Sequence, residues 1–303
     1  MTEQIRADLE KAIGKKVTAV ERIPEGHSGF TYFVTAEDGE YVLRLPPPGA
    51  RIAATADVMR QGRIMSALHA AGLPVPAVPV ICSDPIVDGR PFILMERIDG
   101  VRIEQAASDA TPRQLMASAV EVLKRMQELP VEKTGIGDEE SVPLQVEMMR
   151  WAMLMQRAPE ELTSRAGVLG GLLAAQVPVE RRPTLVHGDY HPGNMLFEGK
   201  DVVAVLDWEI AEIGQPLLDL GALCIVPSRH PGEWPALPDS EVLALYRVDE
   251  DDMRWYLAMT LYKYASIFGY NLMLHRRGKR PDPMYEGLTD TIVAMIEEGI
   301  GLL

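Results

Sequence analysis

Apolar and polar positions change rhythm near residue 100. In the first third they alternate over short runs, and "VTAVERI", "FTYFVTA" and "EYVLRL" each read as a half-buried strand. The last two are joined by "EDG", whose Asp38-Gly39 pair is a hairpin signal. A short helix ending at Gly14 precedes these strands, and "PPPG" breaks the run after them. In "DVMRQGRIMSALHAAG", Val58, Met65 and Leu68 fall at helical spacing, with Gly72 as a stop. "VPAVPVI" and "RPFILMERI" predict two more strands, and Asp99-Gly100 turns the chain out of the sheet. The predicted order is β, β, β, α, β, β.

Beyond residue 100 the period becomes helical. "TPRQLMASAVEVLKRMQEL" opens on a Thr111 cap with Pro112 at the first helical position, and Leu115, Ala119, Val122, Met126 and Leu129 line one face. Further helical runs cover residues 144–157, 161–175, 216–226, 239–247, 251–275 and 284–302. Two short strands, "NMLFE" and "VVAVLDW", interrupt them around "GKD". The pattern predicts an α+β protein with a small β-rich lobe of five strands and one helix, followed by a larger, mainly helical lobe.

Composition narrows the class without naming a chemistry. The chain has 303 residues, 47% hydrophobic and 24% charged, which suits a soluble globular protein with a sizeable core. No run of about eighteen apolar residues occurs, and "MTEQIRADLEKAIG" carries charges where a signal peptide needs an apolar centre. The expectation is a cytoplasmic protein with no membrane partner. Cys82 and Cys224 are the only cysteines and sit among apolar neighbours, as buried thiols would. A net charge of -14 argues against a nucleic-acid partner, because phosphate backbones are held by clustered Lys and Arg.

The densest chemistry lies in "LVHGDYHPGNMLF". Asp189 and Asn194 stand five residues apart, and Asp207 of "LDWE" follows thirteen residues later, after an apolar strand. An acid, a carboxamide and a second acid in this order can form an oxygen-rich magnesium site, since magnesium takes one or two carboxylates plus waters and substrate phosphates. Phosphoryl transfer also needs a carboxylate that orients the attacking hydroxyl. Asp189 suits that role, with Asn194 and Asp207 on the metal.

These motifs, "LVHGDYHPGNMLF…VLDWE…PLLDLG", resemble the aminoglycoside phosphotransferase family of kinase-like phosphotransferase enzymes. They are most similar to the branch holding macrolide phosphotransferases and the kinase-like domains attached to acyl-CoA dehydrogenases. The resemblance runs from about residue 20 to at least residue 278. It implies a protein-kinase-like two-lobed fold, with a nucleotide-binding lobe over residues 1–98 and a catalytic and substrate-binding helical lobe over residues 99–303. It also implies ATP as phosphoryl donor, with GTP left open, Mg2+ as the metal, and a small-molecule hydroxyl as acceptor. In "EGHSGFTY", Gly26, His27, Ser28, Gly29 and Thr31 occupy the place of the phosphate-covering loop, where glycines let backbone N–H groups approach phosphate. In "FILMERIDG", Glu96, Arg97 and Ile98 stand where the backbone meets adenine.

Two positions depart from the pattern. Arg44 replaces the usual phosphate-binding lysine, and Gln61 replaces the helix glutamate that normally pairs with it. Arginine keeps the charge and binds phosphate bidentately, so it can work without a carboxylate partner. The same pair leaves open a second reading, a pseudokinase-like nucleotide- or metabolite-binding protein without turnover. No "APE" follows Asp207, which disfavours a protein kinase.

Other conspicuous residues have structural readings. His187 reads as a structural hydrogen-bonder, which the resemblance implies braces the catalytic loop; Asp219 reads either as another metal ligand or, as the resemblance implies, as a brace of that loop. "DEDD" (249–252) and "HRRGKR" (275–280) answer the two ends of one helix dipole, with contact to an anionic substrate such as an acyl-CoA phosphate as the other reading of the basic cluster. Glu209 reads either as a distant contributor to the magnesium shell or as a cap. The aromatics of the C-terminal helices, Trp151, Trp255, Tyr256, Tyr262, Tyr264 and Phe268 among them, divide between core and substrate wall in a way that spacing does not sort.

Overall fold

A computed structural model describes residues 2–23, 30–51, 54–229 and 234–303. In chain order the elements are α1 (Thr2–Ile13), β1 (Val17–Arg22), β2 (Phe30–Ala36), β3 (Gly39–Leu45), α2 (Val58–Ala70), β4 (Val80–Val87), β5 (Arg90–Glu96), α3 (Ile103–Ala106) and α4 (Pro112–Glu128). They continue with α5 (Leu144–Met155), α6 (Glu160–Ala175), β6 (Thr184–Val186), β7 (Met195–Glu198), β8 (Asp201–Val205), β9 (Glu212–Gly214) and α7 (Leu217–Ser228). Last come α8 (Asp239–Tyr246), α9 (Glu250–Arg276), α10 (Met284–Gly287) and α11 (Thr289–Leu302). By packing, the chain divides into two compact units: Met1–Glu139 with Pro192–Ala211, and Glu140–His191 with Glu212–Leu303. The change of periodicity near residue 100 therefore falls inside the first unit.

The first unit is built on an antiparallel sheet of order β1-β2-β3-β5-β4. Alternation sorts its faces. Tyr32 and Val34 of β2, Leu43 and Leu45 of β3, and Phe92 and Leu94 of β5 join Ile5 and Leu9 of α1 in one buried cluster. On the other face, register aligns Thr31, Arg44 and Ile93 across β2, β3 and β5. There α2 lies close enough that a Cβ on Gly62 would stand 2.9 Å from Ile93 and 3.0 Å from Ile81. Asp57 caps α2 by accepting from the Arg60 amide at 2.9 Å. The fourth strand begins at Val80, later than the alternation of "VPAVPVI" predicts, because Pro76 and Pro79 have no N–H for the ladder. Pro85 is tolerated inside β4 because that strand is an edge and its register shifts between Cys82 and Val87. Cys82 is consequently only partly buried, whereas Cys224 is buried.

Why this unit extends past residue 98 is a matter of specific bonds. Val101 bridges Phe197 of β7, with amide-carbonyl bonds of 2.9 Å in both directions. The Val205 amide donates to the Pro74 carbonyl at 2.8 Å, and Arg60 of α2 grips the Glu139 carboxylate at 2.7 and 2.6 Å and the Ala211 carbonyl at 2.7 Å. The α4 helix opens on a capping box in which Thr111 and Gln114 satisfy each other's backbone N–H.

The second unit is helical around α9. Helix α9 is buried on nearly all sides from Trp255 to Ser266, as an apolar central helix must be, and packs against α5, α6, α7 and α11. Glu250, Asp251 and Asp252 form its first turn, and Arg276 in its last turn pairs with Glu161 and Glu286. Two strands too short to show alternation, β6 and β9, pair antiparallel beside this bundle. No helix among the described residues is long and apolar enough to cross a membrane.

Candidate active site

The second unit holds Asp189. Strand β6 ends at Val186, and Gly188 turns the chain with φ +84°, a conformation open to glycine without steric cost. The amides of His187 and Gly188 both donate to the fully buried carboxylate of Asp219, at 2.7 and 2.9 Å. Burial pushes the Asp219 carboxyl up to about 7, against the pull of those two amides. The Asp189 amide donates to His187 Nδ1 at 3.2 Å, so that nitrogen is an acceptor. Asp219 and the buried His187 thus brace the loop backbone, the role that the family resemblance implies for them.

The Asp189 carboxylate has its own donors. Tyr264 Oη donates to Oδ1 at 2.6 Å, and His191 Nε2 lies 3.2 Å from Oδ2 while its ring stacks on Trp234 at 5.6 Å. Lys263 donates to the Gly188 carbonyl, with its Nζ 5.1 Å from the Trp151 ring centre. Burial opposes ionisation of Asp189, yet the bond and charge of His191, the charge of Lys263 and the Tyr264 hydroxyl outweigh it and hold the carboxyl well below its usual range. Burial pushes the Tyr264 phenol up, so it remains a donor. Behind Lys263, Trp151 Nε1 donates to Glu147 at 2.5 Å, and Arg150 bridges Glu147 at 2.6 Å and Glu212 at 2.9 Å. Burial and the neighbouring Glu147 push Glu212 up to about 7.

Sequence reasoning misses Lys263 and leaves Tyr264 among aromatics unsorted between core and substrate wall, because both lie inside a run that reads as core. The available signal is the lysine itself: a cation in a helix buried on all sides needs a nearby acceptor.

The first unit holds Asn194, Asp207 and Arg44. The Leu206 amide donates to the Asn194 carbonyl at 2.8 Å, which brings the turn Pro192–Asn194 beside the end of β8. Asp207 has φ +64°, a left-handed conformation that is costly for a residue other than glycine and that clusters at functional sites. Arg44 donates to Asp207 Oδ1 at 3.2 and 3.1 Å and to Glu209 Oε2 at 2.9 Å. An arginine working without a carboxylate partner is therefore not what the structure contains, for Arg44 has two. Gln61 is buried and donates to the Thr55 carbonyl at 3.1 Å.

The other sequence-derived residues fall as follows. Thr31 sits opposite Arg44 in the β2–β3 register. The amide of Glu96 donates to the Ala77 carbonyl at 2.8 Å and that of Arg97 to the Glu40 carbonyl at 3.2 Å, while the Arg97 guanidinium lies 4.6 Å from the Phe33 ring centre. Ile98 follows β5 and is half-buried. Gly26, His27, Ser28 and Gly29 lie outside the described residues. Among the described residues, no cluster of three His, Cys, Asp or Glu side chains could cage a metal. Asn194 and Asp207 offer two hard oxygen donors, which is the protein share of a magnesium site completed by water and phosphate.

With this geometry in hand, comparison with known proteins is informative. A Ralstonia eutropha protein provisionally described as an aminoglycoside phosphotransferase superimposes with a TM-score of 0.80 at 23% identity, covering 100% of this chain and 98% of that one. The GDP complex of aminoglycoside 2'-phosphotransferase-IIIa gives 0.70 at 16% identity, over 99% and 98%. The ternary complex of aminoglycoside phosphotransferase APH(4)-Ia with ADP and hygromycin B gives 0.67 at 16%, over 96% and 98%. At these identities the likeness establishes the kinase-like fold alone. Mouse acyl-CoA dehydrogenase family member 10 is 29% identical over 271 residues, 80% of this chain and 25% of that protein. Human acyl-CoA dehydrogenase family member 11 is 30% identical over 207 residues, 64% and 26%. The chain spans roughly a quarter to a third of the length of the first curated relatives it matches. Residues 19–256 match the phosphotransferase enzyme family over most of the chain, and the chain belongs to that family.

Proposed function

We propose that this protein transfers the γ-phosphoryl group of ATP to a hydroxyl of a small molecule. The observation that carries the reading is Asp189: a carboxylate kept ionised by His191, Lys263 and Tyr264 at the end of a strand, within a phosphotransferase family chain. On this reading residues 1–98 form the nucleotide-binding lobe and residues 99–303 the catalytic and acceptor-binding one.

A strongly depressed pKa makes Asp189 a poor base for deprotonating a resting alcohol. That is no obstacle in phosphoryl transfer, whose transition state is loose, so the hydroxyl proton leaves late, as the new P–O bond forms. Asp189 accepts the hydroxyl hydrogen bond, aims the oxygen at phosphorus, and takes the proton as ADP departs. Arg44 and Thr31, with the segment Gly26, His27, Ser28 and Gly29, hold phosphates. Glu96 and Arg97 have their amides engaged within the protein, so reading of the adenine edge falls to the carbonyls of this stretch and to Ile98. Asn194 and Asp207 would hold Mg2+, which neutralises charge on the β- and γ-phosphates.

A second reading has a specific observation behind it. Arg44 is bonded to Asp207 and Glu209, so both a phosphate ligand and a metal ligand are engaged with each other, as suits a binding protein without turnover. Calorimetry with magnesium and ATP or GTP, followed by ADP-release assays over a panel of alcohols, separates the two. Acceptor-dependent ADP release supports the enzyme; tight nucleotide binding with no turnover on any acceptor supports the pseudokinase.

A further inference from the structure

We infer that Glu209 is the positioning partner of Arg44, a carboxylate that stands in for the helix carboxylate absent at Gln61. The inference rests on the nucleotide-binding reading above.

The geometry separates the roles of the two acids. Arg44 and Glu209 are both largely enclosed, their side chains 13% and 17% exposed, whereas Asp207 is 37% exposed. Arg44 Nη2 sits 2.9 Å from Glu209 Oε2, while Asp207 accepts through Oδ1 from both terminal nitrogens. If Asp207 serves a cation, its oxygens turn to that cation, and a second acid then keeps the guanidinium in place. Glu209 is that acid. It lies two residues further along the same segment, so it retains Arg44 when Asp207 is recruited elsewhere. Gln61 offers no charge, and its amide is engaged with the Thr55 carbonyl.

This arrangement also explains why position 44 is an arginine. A planar fork with five donors can keep one nitrogen on a carboxylate and present others to phosphate, which a single ammonium does less well. The acid at 209 and the arginine at 44 are thus one device, and the glutamine at 61 is its consequence. In this account Glu209 acts on the nucleotide through Arg44 and does not itself touch the metal.

A double-mutant cycle read by ADP calorimetry tests the inference, run in EDTA and again in magnesium on the parent, Glu209→Gln, Arg44→Met and the double variant. In magnesium, Glu209→Gln should weaken ADP about tenfold, the size of one hydrogen bond to a charged group, and in EDTA less, because Asp207 there still accepts from Arg44. Arg44→Met should weaken it at least as much, and the double variant no more than Arg44→Met alone. Additive losses in magnesium, or ADP affinity in magnesium unchanged by Glu209→Gln, would each overturn the inference while leaving the nucleotide reading intact. Absence of ADP binding by the parent would overturn both. Melting temperatures accompany each titration; should Glu209→Gln not fold, Glu209→Asp, which keeps the charge on a shorter arm, replaces it under the same criterion.

Discussion

The two units carry centres of opposite construction. In the first, one cation, Arg44, is held by two carboxylates, Asp207 and Glu209. In the second, one carboxylate, Asp189, is surrounded by His191, Tyr264 and the nearby charge of Lys263. A cation among acids is ready to exchange an acid for a phosphate; an acid among donors stays ionised and ready to accept a hydrogen bond. The difference suggests a division of labour in which the first centre governs nucleotide affinity and the second governs the chemical step.

Substitutions can break that division or sharpen it. The largest effect is expected from Asp189→Asn, which should lower kcat by about 10² to 10⁴, the usual contribution of a proton-accepting group, with ADP affinity nearly unchanged by calorimetry. A raised nucleotide KM with intact kcat would reverse the proposed roles. Next, Lys263→Met should lower kcat about tenfold, again on the scale of one charge-assisted bond. Because Lys263 helps depress Asp189, its removal should also move the acid limb of the pH–rate profile upward, and Lys263→Arg should largely restore both.

Smaller still, Tyr264→Phe should cost severalfold in kcat, the ~1 kcal/mol of a single hydrogen bond, and move the acid limb in the same direction. The least effect on turnover is expected from Glu212→Gln, whose readout is stability against pH. Glu212 has a raised folded-state pKa, so its stabilising contribution is complete below the unfolded value near 4.5 and is lost as pH rises through about 7. Thermal melts should therefore show the variant gaining on the parent from about pH 5 to about pH 8, by a few degrees, on the order of 1 kcal/mol. Parallel curves would show that Glu212 does not titrate in this window.

Much of the fold is legible in the sequence where a local rule acts alone. Asp38-Gly39 turns β2 into β3, Thr111 and Pro112 open α4, and alternation sorts Tyr32, Val34, Leu43 and Leu45 onto one face. Less legible are features set by distant partners. The three-residue strands β6 and β9 are too short for any period, and the start of β4 follows from missing proline amides rather than from its apolar pattern. Among the candidate residues, Asp189, Asn194 and Asp207 stand out by residue type and spacing, and Arg44 through the family resemblance. Lys263 and Tyr264 do not, because each meets its loop partner, Gly188 or Asp189, across 75 residues of chain from within an apolar helix. Glu209 takes its meaning from Arg44, 165 residues earlier.

The most direct test of the account is acceptor-dependent ADP formation by the parent and by Asp189→Asn, across aminoglycosides, macrolides, hydroxyacyl thioesters and amino alcohols, with ADP binding measured on both proteins. The account predicts that the parent turns over at least one acceptor and that Asp189→Asn binds ADP equally well but loses that turnover. Equal turnover by the two proteins would contradict it.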